Sequence, residues 1–353
     1  MTASSRKRFF FRSWLCGLLG LLLLFPPFSP VKAEHPKAPP ITNYQAVHFP
    51  FLQNDGRLGV AIRQYRQSGE ERLLVLDPER FQIEVCVRAL ADLPPASREA
   101  WRASAFALAL ERHTAPPYPL QNDGLRHAES PVAGFFLTAD LCPSPSRRPL
   151  DRLFLEALAS LPLPKPIPLA LMVSGRWIEG HGDDMIWIKE QIAAGKLAVT
   201  WVNHSYSHFY NPQLPLEENF LLHRERDFRD EVLLPEQRLL AWGLLPSPFF
   251  RFPGLVSDSR LVMGLRELTL IPIGADAWLA KGETPRLGSI ILVHANGSEP
   301  EGIRLLQAFL ASQNTLFLQR QSRLLPLTEA FAVPPAPTSS CSPGDQSCAT
   351  PLR

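Results

Sequence analysis

Hydrophobic and polar positions follow two different patterns along the chain. Short apolar or alternating runs bounded by turn residues come first, at 59–65, 73–76 and 81–87, and predict a β-hairpin or small meander. Residues 94–113 then carry an apolar stripe at helical spacing and predict one helix. The proline-rich stretch from residue 34 to about residue 51 shows neither pattern and predicts an irregular arm.

From residue 132 onward, predicted strands alternate with predicted helices. The strands are expected at 134–138, 168–173, 197–202, 248–252, 269–274, 289–294 and 315–318, and the helices at 150–161, 185–194, 216–243, 257–268 and 300–312. This alternation predicts a parallel sheet, and six such units favour a distorted (β/α) barrel over an open sheet. The expected fold class is therefore α/β, with an N-terminal β-rich extension.

The first 33 residues have the features of a signal peptide. Basic residues precede a short apolar core, and Val31-Lys32-Ala33 offers small residues on both sides of a cleavage site. We therefore expect export to a periplasm or the exterior, without a membrane anchor after cleavage. Three further regions are predicted: an extension (34–130), a barrel domain (131–332) and a Pro/Ser-rich tail (333–353).

The charge of the chain excludes one class of partner. The whole chain has 36 basic and 34 acidic residues, and removal of the leader takes away five basic residues and no acidic one. The remaining chain is slightly acidic and has no clustered basic stripe, so we expect no nucleic-acid partner.

Four cysteines follow the leader: Cys86, Cys142, Cys341 and Cys348. Export permits disulfides, but four cysteines allow three pairings and the sequence does not choose among them. Cys341 and Cys348 form the simplest local pair. No C-x-x-C is present, so neither a zinc ribbon nor a thioredoxin-like site is indicated.

Two histidines follow the apolar run 197–202. His204 and His208 lie four positions apart, a spacing with which two imidazoles can share a metal ion. For an isolated pair, the alternative is a strand cap and a solvated loop residue. Further chemical groups occur in a fixed order, each near the end of a predicted strand: Asp140, Arg251-Phe252-Pro253-Gly254, Asp276 with Trp278, and Leu292-Val293-His294.

This ordered set resembles the polysaccharide deacetylase family, the NodB homology domain, over residues 132–331. The elements that match are H-S-x-x-H, R-F-P and the closing L-x-H. The resemblance implies a barrel with fewer than eight strands. It also implies a hydrolase that depends on a divalent metal such as zinc and removes N-acetyl groups from a glycan.

The resemblance also implies roles for individual residues. Asp140 would be the general base, His204 and His208 the metal ligands, and His294 the general acid. Two further residues would act on these: Arg251 would keep Asp140 ionised, and Asp276 would orient His294. Tyr206, Trp278 and Pro253 would form the sugar subsite, with the Tyr206 N–H near the oxyanion.

The chain departs from the family pattern at one position, because Leu141 stands where the family has a second aspartate. Two histidines alone make a thin ligand set for zinc. Either Asp140 binds the metal itself, or Asp151 supplies the missing ligand, or the metal site is lost. We favour an altered but intact site; the alternative is a catalytically degenerate protein that serves as a glycan-binding or envelope module. Sequence leaves the oligomeric state open.

Overall fold

The structure is a computed structural model that describes residues 39–143, 149–223 and 225–331. The predicted signal peptide, the predicted tail and the cysteine pair Cys341 and Cys348 lie outside the described residues. Among the described residues, no helix is both long enough and apolar enough to cross a membrane.

The chain begins with a four-stranded antiparallel sheet in the order β1-β2-β3-β4. Its strands are β1 (Ile41–Leu52), β2 (Leu58–Gln67), β3 (Glu70–Asp77) and β4 (Gln82–Cys86). Ser68 and Gly69, both with positive φ, form the two-residue turn between β2 and β3. The prediction of an irregular arm up to residue 51 was wrong, because β1 gains its order from pairing with β2, which a local pattern does not reveal.

Two short helices follow where one was predicted, α1 (Arg98–Ala103) and α2 (Ala105–His113). Ser104 separates them. Its hydroxyl donates to the carbonyl of Trp101 at 2.7 Å and accepts from the N–H of Ala107 at 3.3 Å. One side chain therefore ends the first helix and caps the start of the second.

The rest of the chain forms a seven-stranded parallel sheet in the order β10-β11-β5-β6-β7-β8-β9. Its strands are β5 (Phe136–Leu141), β6 (Ile167–Val173), β7 (Leu197–Asn203), β8 (Phe249–Phe250), β9 (Ile271–Pro272), β10 (Ala277–Trp278) and β11 (Ile290–His294). The helices are α3 (Arg152–Ala159), α4 (Gly175–Gly180), α5 (Gly182–Ala193), α6 (Phe228–Ala241), α7 (Ser259–Glu267), α8 (Pro300–Ser312) and α9 (Asn314–Leu318). The α/β class, the parallel sheet and the N-terminal β-rich region are confirmed.

The parallel sheet curls as a half-barrel, and within the described part of the chain its edge strands β10 and β9 do not pair with each other. A segment of the extension occupies the space between its edges: Leu125 bridges to Ile273 and His127 bridges to Ser289. Gly124 makes this approach possible, because a Cβ at this position would lie 2.1 Å from the carbonyl oxygen of Pro272. The extension therefore helps to complete the barrel.

Alternate residues of the longer parallel strands β5, β6, β7 and β11 face two separate cores. Leu137, Ala139 and Leu141 of β5 pack against the outer helices, whereas Phe136 of the same strand faces the interior. Aromatic rings from distant parts of the chain fill that interior. Phe331 stacks on Phe249 and on Phe81, with ring centroids 5.4 and 4.6 Å apart.

A buried ion pair connects the extension to α6. Arg63 of β2 makes two hydrogen bonds to the carboxylate of Glu236, at 2.7 and 2.9 Å, and both side chains are almost fully buried. The hydroxyl of Tyr44 donates to the same carboxylate at 2.7 Å. Such a two-pronged arginine contact fixes orientation as well as distance.

Two predicted elements differ from the structure. The predicted helix 216–243 is reduced to α6, because residues 216–222 form two short 3-10 turns instead. Asn219 stabilises this loop by hydrogen bonds to three backbone carbonyls. The predicted strand 315–318 is the helix α9, which is joined to α8 by Gln313, a residue with right-handed helical φ and ψ.

Candidate metal and catalytic site

Asp140, His204, Arg251 and His294, four of the functional groups predicted from sequence, meet at the carboxyl end of the parallel strands. Asp140 is the second-last residue of β5 and lies beside His294 of β11, its direct partner in the register of the parallel pair. His204 directly follows β7, and Arg251 directly follows β8. In parallel sheets this edge gathers residues that are distant in sequence, which explains why four separate motifs converge.

Asp140 and Arg251 form a buried ion pair. Nη1 of Arg251 lies 2.8 Å from Oδ1 of Asp140 and also donates to the hydroxyl of Thr138 at 2.7 Å. Burial raises the pKa of Asp140, but the charges of Arg251, His204 and His294 outweigh it and hold the pKa below its ordinary value. Arg251 therefore keeps this carboxylate ionised and fixed in one orientation.

The ring of His204 is oriented by a backbone carbonyl. Its Nδ1 lies 2.9 Å from the carbonyl oxygen of Arg251, which can only accept, so Nδ1 carries the proton. Its Nε2 faces the site, 3.6 Å from both Oδ2 of Asp140 and Sγ of Cys142. This tautomer leaves a lone pair on Nε2, as a metal ligand requires.

His208 lies on a loop with unusual backbone geometry, since Ser205 and His208 have φ of 65° and 45°. Glu231 of α6 holds the loop. Its buried carboxylate accepts from the N–H groups of Tyr206 and Ser207 at 2.9 and 2.8 Å, and from the Ser207 hydroxyl at 2.5 Å. Contacts of this kind retain a strained backbone at a functional site.

The side chain of Cys142 lies with the two imidazoles. Its Sγ and one nitrogen from each of His204 and His208 all lie within 4.8 Å of one another. Burial raises the pKa of the Cys142 thiol, but the imidazoles of His208 and His294 outweigh it and hold the pKa well below its ordinary value. Nε2 of His208 is buried and has no hydrogen-bond partner among the described residues.

His294 is part of a chain of contacts with Glu299 and Trp278. Its Nδ1 lies 2.8 Å from Oε2 of Glu299, and the indole N–H of Trp278 donates to the same oxygen at 2.9 Å. Burial lowers the pKa of His294, but Cys142, Glu299 and Asp140 outweigh it and hold the pKa well above its ordinary value. The ring centroids of Trp278 and His294 are 6.0 Å apart.

The predicted contact between Asp276 and His294 does not occur. Oδ2 of Asp276 lies 2.7 Å from Nδ1 of His127 and 3.3 Å from the hydroxyl of Ser289, and Oδ1 accepts from the N–H of Ile290. Asp276 precedes β10, and its side chain contacts His127 in the segment that fills the gap between the sheet edges. Glu299 takes the position beside His294 instead.

The predicted metal ligand Asp151 is instead the N-terminal cap of a helix. It caps α3, accepting from the N–H of Phe154 at 2.9 Å, and is not part of the cluster around Cys142.

Two predicted subsite residues also have structural contacts. The N–H of Tyr206 donates to Glu231, so it is not free for an oxyanion, and the phenol reaches Glu179 on α4. Pro253 is buried at the start of a 3-10 turn.

Sequence reasoning missed three residues of this site: Cys142, Glu299 and Glu231. Cys142 stands two positions after Asp140, and it was considered as a disulfide candidate; in the structure it is a free thiol. Glu299 lies five residues after His294 in a loop, and Glu231 lies in α6. Spacing alone gives no signal for either glutamate, because both reach the site through the tertiary fold.

The donor groups at this site suit a divalent cation. Two imidazole nitrogens and a thiol sulfur are the ligand types that zinc takes in proteins. The oriented Nε2 of His204 and the unpartnered Nε2 of His208 agree with such a ligand set. The residues present therefore fit a metal ion.

No protein-family model matches this chain. Solved structures similar to it include a family 4 carbohydrate esterase from Streptomyces lividans, at 16% identity and a TM-score of 0.38, covering 55% of this chain and 93% of that one. A family 4 carbohydrate esterase from Bacillus anthracis matches at 16% identity and 0.42, covering 65% and 92%. A chitin deacetylase from Colletotrichum lindemuthianum matches at 18% and 0.39, covering 60% and 92%.

These solved structures are deacetylases and esterases of the type that the sequence motifs resemble. At these identities and TM-scores, the likeness decides neither the activity nor the substrate of this chain. Both must follow from its own residues.

Proposed function

We propose that this chain is a metal-dependent hydrolase that removes N-acetyl groups from a glycan. The observation that carries the proposal is the meeting of four groups at one sheet edge. These are a carboxylate held by Arg251, the two imidazoles of His204 and His208 with nitrogens available for a metal, and the imidazole of His294 on the neighbouring strand. Together they match the needs of amide hydrolysis.

Asp140 and His294 divide the proton transfers between them. Asp140 is ionised at neutral pH, so it accepts a proton from the attacking water. The acidic groups Glu299 and Asp140 beside His294 favour its protonated form, so a proton is available for the nitrogen of the leaving amine. The products are acetate and a free amino sugar. Asp140 then releases its proton to solvent and His294 takes one up, which restores both residues for the next turnover.

A bound divalent cation supplies activation of the water and polarisation of the acyl carbonyl. His204 and His208 would hold it, and the loop clamped by Glu231 sets their spacing. Metal dependence is therefore part of the proposal.

The substrate class comes from the motif resemblance, and Trp278 supports it. This half-buried ring lies beside His294, where an aromatic surface suits a sugar bound next to the general acid. Export to a periplasm or the exterior, where such glycans occur, remains a prediction from the leader.

The test is acetate release from a chitin oligosaccharide and from an N-acetylated peptidoglycan fragment. We expect metal-stripped protein to be inactive and added zinc or cobalt to restore activity. His204→Ala and His294→Ala should each reduce the rate by at least about 10²-fold. His48→Ala is the matched control, because His48 is exposed on β1, and it should leave the rate unchanged.

Activity that survives metal removal would overturn the proposal, as would no release with any metal. Glycan binding without acetate release, unaffected by chelator, would instead identify a glycan-binding module that has lost catalysis.

A further inference from the structure

We propose that Cys142 is the third protein ligand of the metal, so that the centre consists of two imidazoles and one thiolate. This inference rests on the proposed function for its biological use, but not for its test. Cys142 lies next to both histidines, where the sequence left the third ligand unassigned.

The geometry of β5 explains why residue 142 and not residue 141 faces the metal position. Leu141 is fully buried against the outer helices, together with Leu137 and Ala139, which are its equivalents by strand alternation. A ligand at position 141 would therefore face away from His204. Sγ of Cys142, by contrast, lies 3.6 Å from Nε2 of His204.

A hydrogen bond to its own backbone carbonyl also fixes the position of Cys142. The side-chain N–H of Asn296 donates to the carbonyl of Cys142 at 2.7 Å, and both residues are buried. Asn296 lies two residues after His294, so the loop that follows the proposed general acid also holds the backbone of Cys142. A ligand held in this way needs little reorganisation to bind a cation.

The two carboxylates considered as third ligands have other partners. Asp151 caps α3. Asp140 is paired with Arg251, and this leaves it as a base, a role that a metal ligand would perform less well. With Cys142 as ligand, the chain has three metal ligands, and Asp140 is not required to bind the metal and can act as the base.

A thiolate in the ligand set has a consequence for metal choice. Sulfur ligands favour zinc and other borderline or soft cations, whereas magnesium and manganese favour oxygen. We therefore expect zinc and cobalt to bind, and magnesium to bind far more weakly. Metal content after dialysis against each cation measures this directly.

The decisive measurement is the absorption spectrum of the cobalt-loaded full chain. We expect a thiolate-to-cobalt charge-transfer band that disappears in Cys142→Ser and in Cys142→Asp. Cys142→Asp restores a negatively charged ligand, so it should keep one equivalent of cobalt, whereas Cys142→Ala should bind at least about tenfold more weakly. Cys86→Ser, which removes the half-buried thiol of β4, is the matched control and should retain the band.

A second readout is the reactivity of Cys142 with a thiol reagent in a background where Cys16, Cys86, Cys341 and Cys348 are replaced by serine, and zinc should slow this modification. The inference is overturned if Cys142→Ala binds cobalt with wild-type affinity and an unchanged spectrum. Such a result, combined with intact zinc-dependent acetate release, would leave the proposed function standing. A normal thiolate–cobalt spectrum without acetate release would support Cys142 as a ligand and refute the hydrolase.

Discussion

Nδ1 of His294 lies 2.8 Å from Oε2 of Glu299, and this pair brings together the end of β11 and the loop before α8. The contact is at ion-pair distance, although it does not have the direction of an ideal hydrogen bond. Glu299 is held in turn by the indole N–H of Trp278. A carboxylate in this position sets the orientation and charge of the imidazole.

Glu299 is therefore predicted to be a positioning residue. Glu299→Gln removes the negative charge beside His294, so kcat should fall by about 10–100-fold with little change in KM or in zinc content. Steady-state kinetics and metal analysis check this. Glu301→Gln is the control, because Glu301 pairs with Arg304 on the exposed surface of α8. Equal effects of the two substitutions would contradict a positioning role.

The loop that carries His208 should depend on Glu231. Glu231→Gln leaves at least one buried donor of this loop without its ionised acceptor, at a cost of about 1–3 kcal/mol in the free energy of unfolding. Zinc affinity should also fall by about 10–100-fold, because the imidazole is less well placed. Urea unfolding and zinc titration measure the two effects.

The control for the Glu231 variant is Glu179→Gln. Glu179 is partly exposed and contacts the side chains of Tyr206 and Arg238, and not the loop backbone. Its loss should cost no more than about 1 kcal/mol and should leave zinc affinity unchanged. If both variants bound zinc equally well, the clamp would have no role in the metal site.

Arg251 should contribute strongly to stability as well as to chemistry. Arg251→Met leaves the carboxylate of Asp140 buried without its cation, so metal-free protein should lose about 3–5 kcal/mol of unfolding free energy. Adding Asp140→Leu to this variant should recover part of the loss, because the unpaired charge is gone. Chelator-treated protein unfolded in urea gives both values, and a double variant less stable than Arg251→Met would contradict this explanation.

The aromatic cluster inside the half-barrel should behave as a true core. Phe331 is 4% exposed and stacks on rings from the extension and from β8, so Phe331→Ala should cost about 3–5 kcal/mol. Leu318→Ala, at a side chain that is 62% exposed, should change stability by no more than about 0.5 kcal/mol. Similar losses in the two variants would show that the cluster contributes little.

The pattern of hydrophobic and polar residues predicted most of the parallel strands, because a strand that is buried on both faces consists of a continuous run of apolar residues. It failed for β1, whose order depends on β2, and for residues 216–222, where the side chain of Asn219 stabilises a loop. Residues 315–318 show the same limit, since a short apolar run does not distinguish a strand from a helix.

The sequence by itself determined the fold class and identified Asp140, His204, Arg251 and His294 as candidates, because each lies at or just after the end of a recognisable strand and belongs to an ordered set of motifs. It did not determine which of the acidic or sulfur-bearing side chains complete the site. The tertiary structure decided that Cys142 lies beside the imidazoles, that Glu299 lies beside His294, and that Asp276 pairs with His127. The physical reason is that strand alternation and loop paths set which way a side chain points, and these depend on contacts between residues far apart in the chain.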